Sequence, residues 1–330
     1  LAVTYKPKDH RQYDQPKTAL IKQDHELSNG HDAVLERLAV FQKQQTLDIK
    51  QARRTMEELF GQDVDADIKP VDVDGIAAEW VLASGADPSK RLLYLHGGAF
   101  RVGSPKSHRV ITSKLSEVTN SSVLAIDYRL MPEFSRRDCV EDCATAYQWM
   151  LGNGSQGPGQ ADNILMAGDS AGGNLTLVLM ALLRDTGGRA ANAAVCLSPV
   201  TDCRFASPSI FSNLSTDVML KPLASRITRV PKVLLRLAAR HLAKDNPNDP
   251  LISPLLGDLS DLPPTLVLAS QHEILRDDGR RYVNKAVAAG SAAKFVYCMQ
   301  MPHVWPIFYP ELPEAELAFQ QISEFLDRHN

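Results

Sequence analysis

The chain has 330 residues, 44% of them apolar and 23% charged, ordinary values for a globular protein with a sizeable core. A formal net charge of −3 gives no attraction to nucleic acid or to an anionic membrane, and no apolar run reaches the roughly 18–20 residues that span a bilayer. Five cysteines form no CxxC and no even-numbered framework, and the first residues lack the apolar core of a secretory signal, so free thiols and a cytoplasmic location are expected for a chain that starts at Leu1.

Residues 1–60 are polar with two helical stretches, "GHDAVLERLAVFQKQQ" and "DIKQARRTMEELFG". "IKPVDVDGIAAEWVLAS" then reads as two strands around Asp74-Gly75, a hairpin signal. From there short apolar runs ("RLLYLHG", "SVLAIDY", "NILMAG", "AAVCLS", "TLVLAS", "KFVYCM") alternate with longer helical stretches. The runs are apolar throughout, as in strands covered on both faces of a parallel sheet, so an α/β fold is predicted with helices on both sides. The rhythm breaks over about 201–248, which has helical patterning and no strand, and is too long for a plain loop. Within it Arg229, Lys232, Arg236 and Arg240 recur at helical spacing opposite Ile227, Val230, Leu234 and Leu237, with Pro231 as an interruption. That pattern reads as a helix with one solvated basic face in preference to a membrane-surface helix; stable membrane insertion is not expected.

Gly168-Asp169-Ser170-Ala171-Gly172 joins the strand "NILMA" to the helix "GNLTLVLMALLRDTGG". A G-x-S-x-G in strand–turn–helix context holds a serine hydroxyl above a sheet edge at a helix N-terminus, where side chains at both glycine positions would collide with neighbouring strands. A serine needs a base, an orienting acid and donors for the developing oxyanion. In "YLHGGAF" the backbone N–H groups of Gly97 and Gly98, with that of Ala171, can supply the donors. His303, in "MQMPHVW", is the base, because in this architecture the order is serine, acid, histidine and it follows the last strand. His272 is its competitor. His10, His25 and His31 are expected to face solvent, and His96 to brace its own glycine loop. "LASQHEILRDDG" offers Glu273, Asp277 and Asp278 as acids; Glu273, nearest the strand end, is preferred, the other two suiting the first turn of the next helix. Phe211, Met219, Leu220 and Trp305 are candidates for an apolar substrate pocket, with ordinary core as the alternative for each.

Taken together these residues resemble the hormone-sensitive-lipase-like family of α/β-hydrolase esterases. The likeness spans about 90–330 and includes "HGGAF", "DYRLMPE", "EDCATAYQW", "GDSAGGN", "DPLISPLLGDLSDLPP" and "LRDDG". It implies a Ser170/Glu273/His303 triad, no cofactor and no metal, a small-molecule ester substrate of short to medium chain, and a possible homodimer. It also implies a helical cap built from residues 1–60 and 201–248, set on a core of residues 61–200 and 249–330. The sequence departs from the family pattern at Glu273, where Asp is usual, at Ile274, where Pro is usual, and after "PE", where "FSRRDCV" stands. Val304 and Trp305 after the histidine resemble members acting on cyclic esters, so lactone or amide hydrolysis, or a receptor without catalysis, are the alternatives.

Overall fold

The computed structural model describes residues 10–15, 21–23, 26–43, 48–228 and 246–329. Its centre is a nine-stranded sheet: β1 (Ile21–Gln23), β2 (Asp67–Val73), β3 (Ile76–Leu82), β4 (Asp87–Leu95), β5 (Ser121–Ile126), β6 (Asn163–Asp169), β7 (Ala193–Leu197), β8 (Thr265–Ser270) and β9 (Ala293–Cys298). In space the order is β1-β9-β8-β7-β6-β4-β5-β3-β2. All neighbours run parallel except at one end, where β3 is antiparallel to both β5 and β2. The Asp74-Gly75 hairpin is present, with φ of +51° and +89° and Val73 opposite Ile76. Pro70 sits in β2 at the far edge of the sheet, where its missing N–H breaks no interior ladder.

Every residue of β5, β6, β7 and β8 is buried, which is why these runs do not alternate. Their side chains point alternately into two cores. Leu93 and Leu95 join one face with α4 (Arg136–Gly152), α5 (Ser170–Thr186) and α8 (Arg276–Ala288). Leu92 and Tyr94 join the other, with α3 (Arg109–Thr119) and α9 (Glu314–Leu326). The two N-terminal helices are α1 (Asn29–Lys43) and α2 (Ile49–Phe60); Val34, Leu38, Met56 and Phe60 bury into this second face. Two short helices lie in the region without strands, α6 (Ser209–Ser212) and α7 (Lys221–Thr228). The basic positions Arg229, Lys232, Arg236 and Arg240 lie outside the described residues.

One element has no counterpart in the sequence reading. β1 adds a parallel edge strand beside Val296–Cys298, so part of the N-terminal segment belongs to the central sheet. All five cysteines are free thiols, and among the described residues no helix is long and apolar enough to cross a membrane.

Candidate active site

The chain turns sharply from β6 into α5, and Ser170, the first helical residue, carries a φ of +49°. Such a conformation is strained for any residue with a Cβ and persists only where the surroundings enforce it. Here they do. A Cβ at Gly172 would lie 1.8 Å from the Leu95 carbonyl oxygen, and one at Gly168 would lie 2.5 Å from the Gly172 oxygen. Only glycine lets β4 and the helix approach this closely. Ser170 therefore stands half-buried at the N-terminus of α5, where the helix dipole favours negative charge.

His303 follows β9 by a short loop, and its Nδ1 lies 2.6 Å from Glu273 Oε2. Both side chains are buried. The second carboxylate oxygen accepts the Ser270 N–H at 3.1 Å, which fixes Glu273 at the end of β8. Burial pushes the Glu273 carboxyl above the usual range despite the imidazole bound to it. Burial also acts to lower the His303 pKa, but the Glu273 hydrogen bond and charge outweigh it and leave the imidazole more basic than usual. The histidine loop is tied down from three sides. Ser270 Oγ donates to Met301 O at 2.6 Å, Val304 N–H donates to Ser198 Oγ at 3.3 Å, and His31 Nε2 meets Gln300 O at 2.8 Å.

The other acids and histidines have different occupations. Asp277 accepts the Ser209 N–H, and Asp278 accepts the Thr201 and Asp202 N–H groups and the Ser207 hydroxyl. Neither meets an imidazole. His31 and His10 are buried, contrary to the expectation that they face solvent, because the polar N-terminal segment packs back onto the core; His25 lies outside the described residues. His96 does brace its loop, with Nδ1 at 2.7 Å from Gly97 O and its ring stacked on Tyr128 at 4.3 Å. Burial lowers its pKa to about 3, so it stays neutral.

The glycine loop requires a correction. The Gly97 N–H donates to Asp169 Oδ1 at 2.8 Å, an oxygen that also accepts the Tyr94 hydroxyl at 2.6 Å. A Cβ at Gly97 would lie 2.0 Å from Asp169 Oδ2. That amide is already paired, so it is not a donor to substrate. The following two residues, Gly98 and Ala99, have φ of +111° and +55°, and their N–H groups meet no acceptor among the described residues. Ala171 lies in the first turn of α5, where backbone N–H groups lack helical partners. Asp169 itself was missed by sequence reasoning. It is fully buried between the glycine loop and His108, whose Nε2 is 3.5 Å away, and its side chain locks that loop to the serine turn. Burial alone would raise its carboxyl, but the neighbouring His108 imidazole and the Tyr94 hydroxyl hold it below the usual range.

Of the four pocket candidates, Trp305 is fully buried in the second core and touches no open space; it is core, not pocket. Phe211 is exposed, and Met219 and Leu220 are half-buried just after Asp217.

The family model for the α/β-hydrolase fold matches residues 92–307. An acetyl-hydrolase of Streptomyces hygroscopicus is 38% identical over 78% of this chain and 81% of its own length. An esterase of Acinetobacter venetianus is 32% identical over 81% and 84%. A crystal structure of an esterase from the bacterial hormone-sensitive lipase family superposes with a TM-score of 0.81 at 35% identity, over 92% of this chain and 99% of that one.

The chain belongs to the hormone-sensitive-lipase-like family of α/β-hydrolases.

As a member of that family it is a carboxylic ester hydrolase. Five of the family's sequence markers meet in one place: "HGGAF" and "GDSAGGN" through the Asp169–Gly97 bond, "DYRLMPE" through the Tyr128 hydroxyl on His96 O at 2.7 Å, and "LRDDG" with "DPLISP" around residues 201–203.

Proposed function

We propose that the protein cleaves carboxylic esters in two acyl-transfer steps, with Ser170 as nucleophile, His303 as base and Glu273 as the orienting acid. Ser170 attacks the ester carbonyl while His303 takes its proton and returns it to the leaving alcohol; a water molecule then attacks the acyl-enzyme by the reverse proton path. The observation that carries this reading is the buried 2.6 Å contact between His303 Nδ1 and Glu273 Oε2. A carboxylate bonded to Nδ1 holds the proton on that nitrogen and leaves Nε2 free to accept one. The N–H groups of Gly98, Ala99 and Ala171 are the donors for the oxyanion, each worth about 3–4 kcal/mol of transition-state stabilisation. Glu273 reaches the ring with one methylene more than the usual Asp, and Ser270 N–H on its second oxygen keeps that longer arm from swinging.

Short- to medium-chain esters are the substrate class, bounded by residues 201–228 above the Glu273 turn. A preference for cyclic esters gains no support from Trp305, which is enclosed in the core. The test is Ser170→Ala on p-nitrophenyl butyrate. A fall in kcat on the order of a millionfold is expected, and turnover equal to that of the unaltered enzyme ends the proposal.

A further inference from the structure

The turn that carries Glu273 is held from outside, group by group, by residues 209–217. Asn213 Nδ2 donates to Gln271 O at 2.8 Å and to Glu273 O at 2.9 Å. Thr216 Oγ1 donates to His272 O at 2.9 Å. Ser209 Oγ donates to Ile274 O at 2.7 Å and accepts the Asp277 N–H at 3.0 Å. Consecutive carbonyls from Gln271 to Ile274 thus all end on side chains of one short stretch. The return bond comes from Ile274 N–H, which donates to Asp217 Oδ2 at 2.9 Å.

Asp217 is the charged member of this set and is 2% exposed. Its other oxygen accepts the Met219 and Leu220 N–H groups at 3.1 and 2.7 Å, at the approach to α7. One carboxylate therefore ties the residue next to Glu273 to the segment over the site. We propose that Asp217 is a positioning residue for the triad: it pins the Glu273 turn to residues 209–220 and keeps a negative charge beside the Glu273–His303 pair.

The inference rests on the Ser170–His303–Glu273 reading and deepens it. Any displacement of residues 209–220 is passed through Ile274 to the neighbouring Glu273. The charged groups acting on His303 come from three elements: Glu273 from the turn after β8, Asp217 from this segment and Asp169 from the serine turn. All are acidic, and each favours the imidazolium that forms during catalysis.

Asp217→Asn keeps an oxygen for one set of amides, sets an NH2 group against another N–H, and removes the charge. With turnover normalised to serine titrated by a fluorophosphonate, kcat on p-nitrophenyl butyrate falls on the order of tenfold. KM stays within about twofold, and the acidic limb of kcat/KM moves to lower pH. Asn213→Ala breaks the same clamp without touching charge, so kcat per titrated site falls while the limb stays in place. Melting temperatures are recorded for both. The proposal is overturned if Asp217→Asn keeps the unaltered kcat per titrated site, if its acidic limb does not move, or if its loss is confined to the titratable fraction or to KM. Failure of the underlying triad has a different signature: the unaltered enzyme takes up no fluorophosphonate and Ser170→Ala retains turnover, whatever Asp217→Asn does.

Discussion

At the residue scale the site turns on which hydrogen each buried acid holds. Glu273 is bonded to Nδ1 of His303, so in the proposed mechanism its work is to fix the tautomer and orientation that leave Nε2 for the nucleophile. Glu273→Gln has the same shape but an amide that donates to Nδ1 and so selects the wrong tautomer. A drop in kcat of about 10⁴ follows, with KM little changed, measurable on p-nitrophenyl butyrate with serine titration as the check on folding. The pH dependence follows from the same pair. In the proposed mechanism neutral His303 is the active form, and its pKa is raised above the ordinary 6.5. Protonation therefore begins to remove activity at a higher pH than for an unperturbed histidine, and the acidic limb of kcat/KM lies above 6.5. In the residual activity of Glu273→Gln the raising influence is gone, so the limb moves down. A limb in the same place in both enzymes would separate Glu273 from the titrating group.

At the scale of elements the buried Asp278 shows how α8 is fastened to the chain between β7 and α6. Its carboxyl meets the N–H groups of Thr201 and Asp202 and the Ser207 hydroxyl, and burial first, then the charge of Asp202, push its pKa up to about 7. The folded state thus binds a proton here more tightly than the unfolded chain, whose carboxyl titrates near 3.8. Stability from this group is complete below about pH 4 and is lost as pH rises through about 7. Asp278→Asn flattens that dependence: its melting temperature changes less than that of the unaltered protein between pH 5 and 8. The elements also divide by how well the sequence announced them. β5, β6, β7 and β8 were readable because a strand covered on both faces must be apolar throughout, and the serine turn because its glycines are required by backbone contacts of 1.8 and 2.5 Å. β1 was not, since three residues carry no pattern and their pairing depends on β9 being an edge. The Gly97 amide was misread for a similar reason. Which loop N–H stays free depends on the direction of the Asp169 side chain, a tertiary fact with no local signal. Asp217 had one signal, an acid two and three residues before the amides it accepts, and that marks a helix approach without revealing the bond to Ile274.

At the scale of the whole molecule the parallel sheet separates two tasks along its strands. Ser170, Glu273, His303 and the glycine loop all lie at carboxyl ends of strands or just beyond them, where an open α/β sheet offers a crevice. Arg91, at the middle of β4 with its side chain turned back toward Pro88, has no part in that chemistry. It is 3% exposed and its guanidinium donates to Pro88 O, Met150 O, Leu151 O and Gly159 O at 2.6–3.3 Å. This one side chain thereby closes the C-terminal end of α4 and the loop after it onto the sheet. Arg91→Leu leaves the buried Met150 carbonyl without this donor and frees Pro88 O and Gly159 O, while Leu151 O keeps the Ala161 N–H, a loss of about 3 kcal/mol. Because the bonds removed sit at the opposite end of β4 from the glycine loop, kcat per titrated serine stays within about twofold of the unaltered enzyme. Urea denaturation and serine-titrated turnover on one preparation separate the two effects. A kcat that fell in step with stability would mean that strain at the base of β4 travels its length to the glycine loop, and that the two ends of the sheet do not work independently.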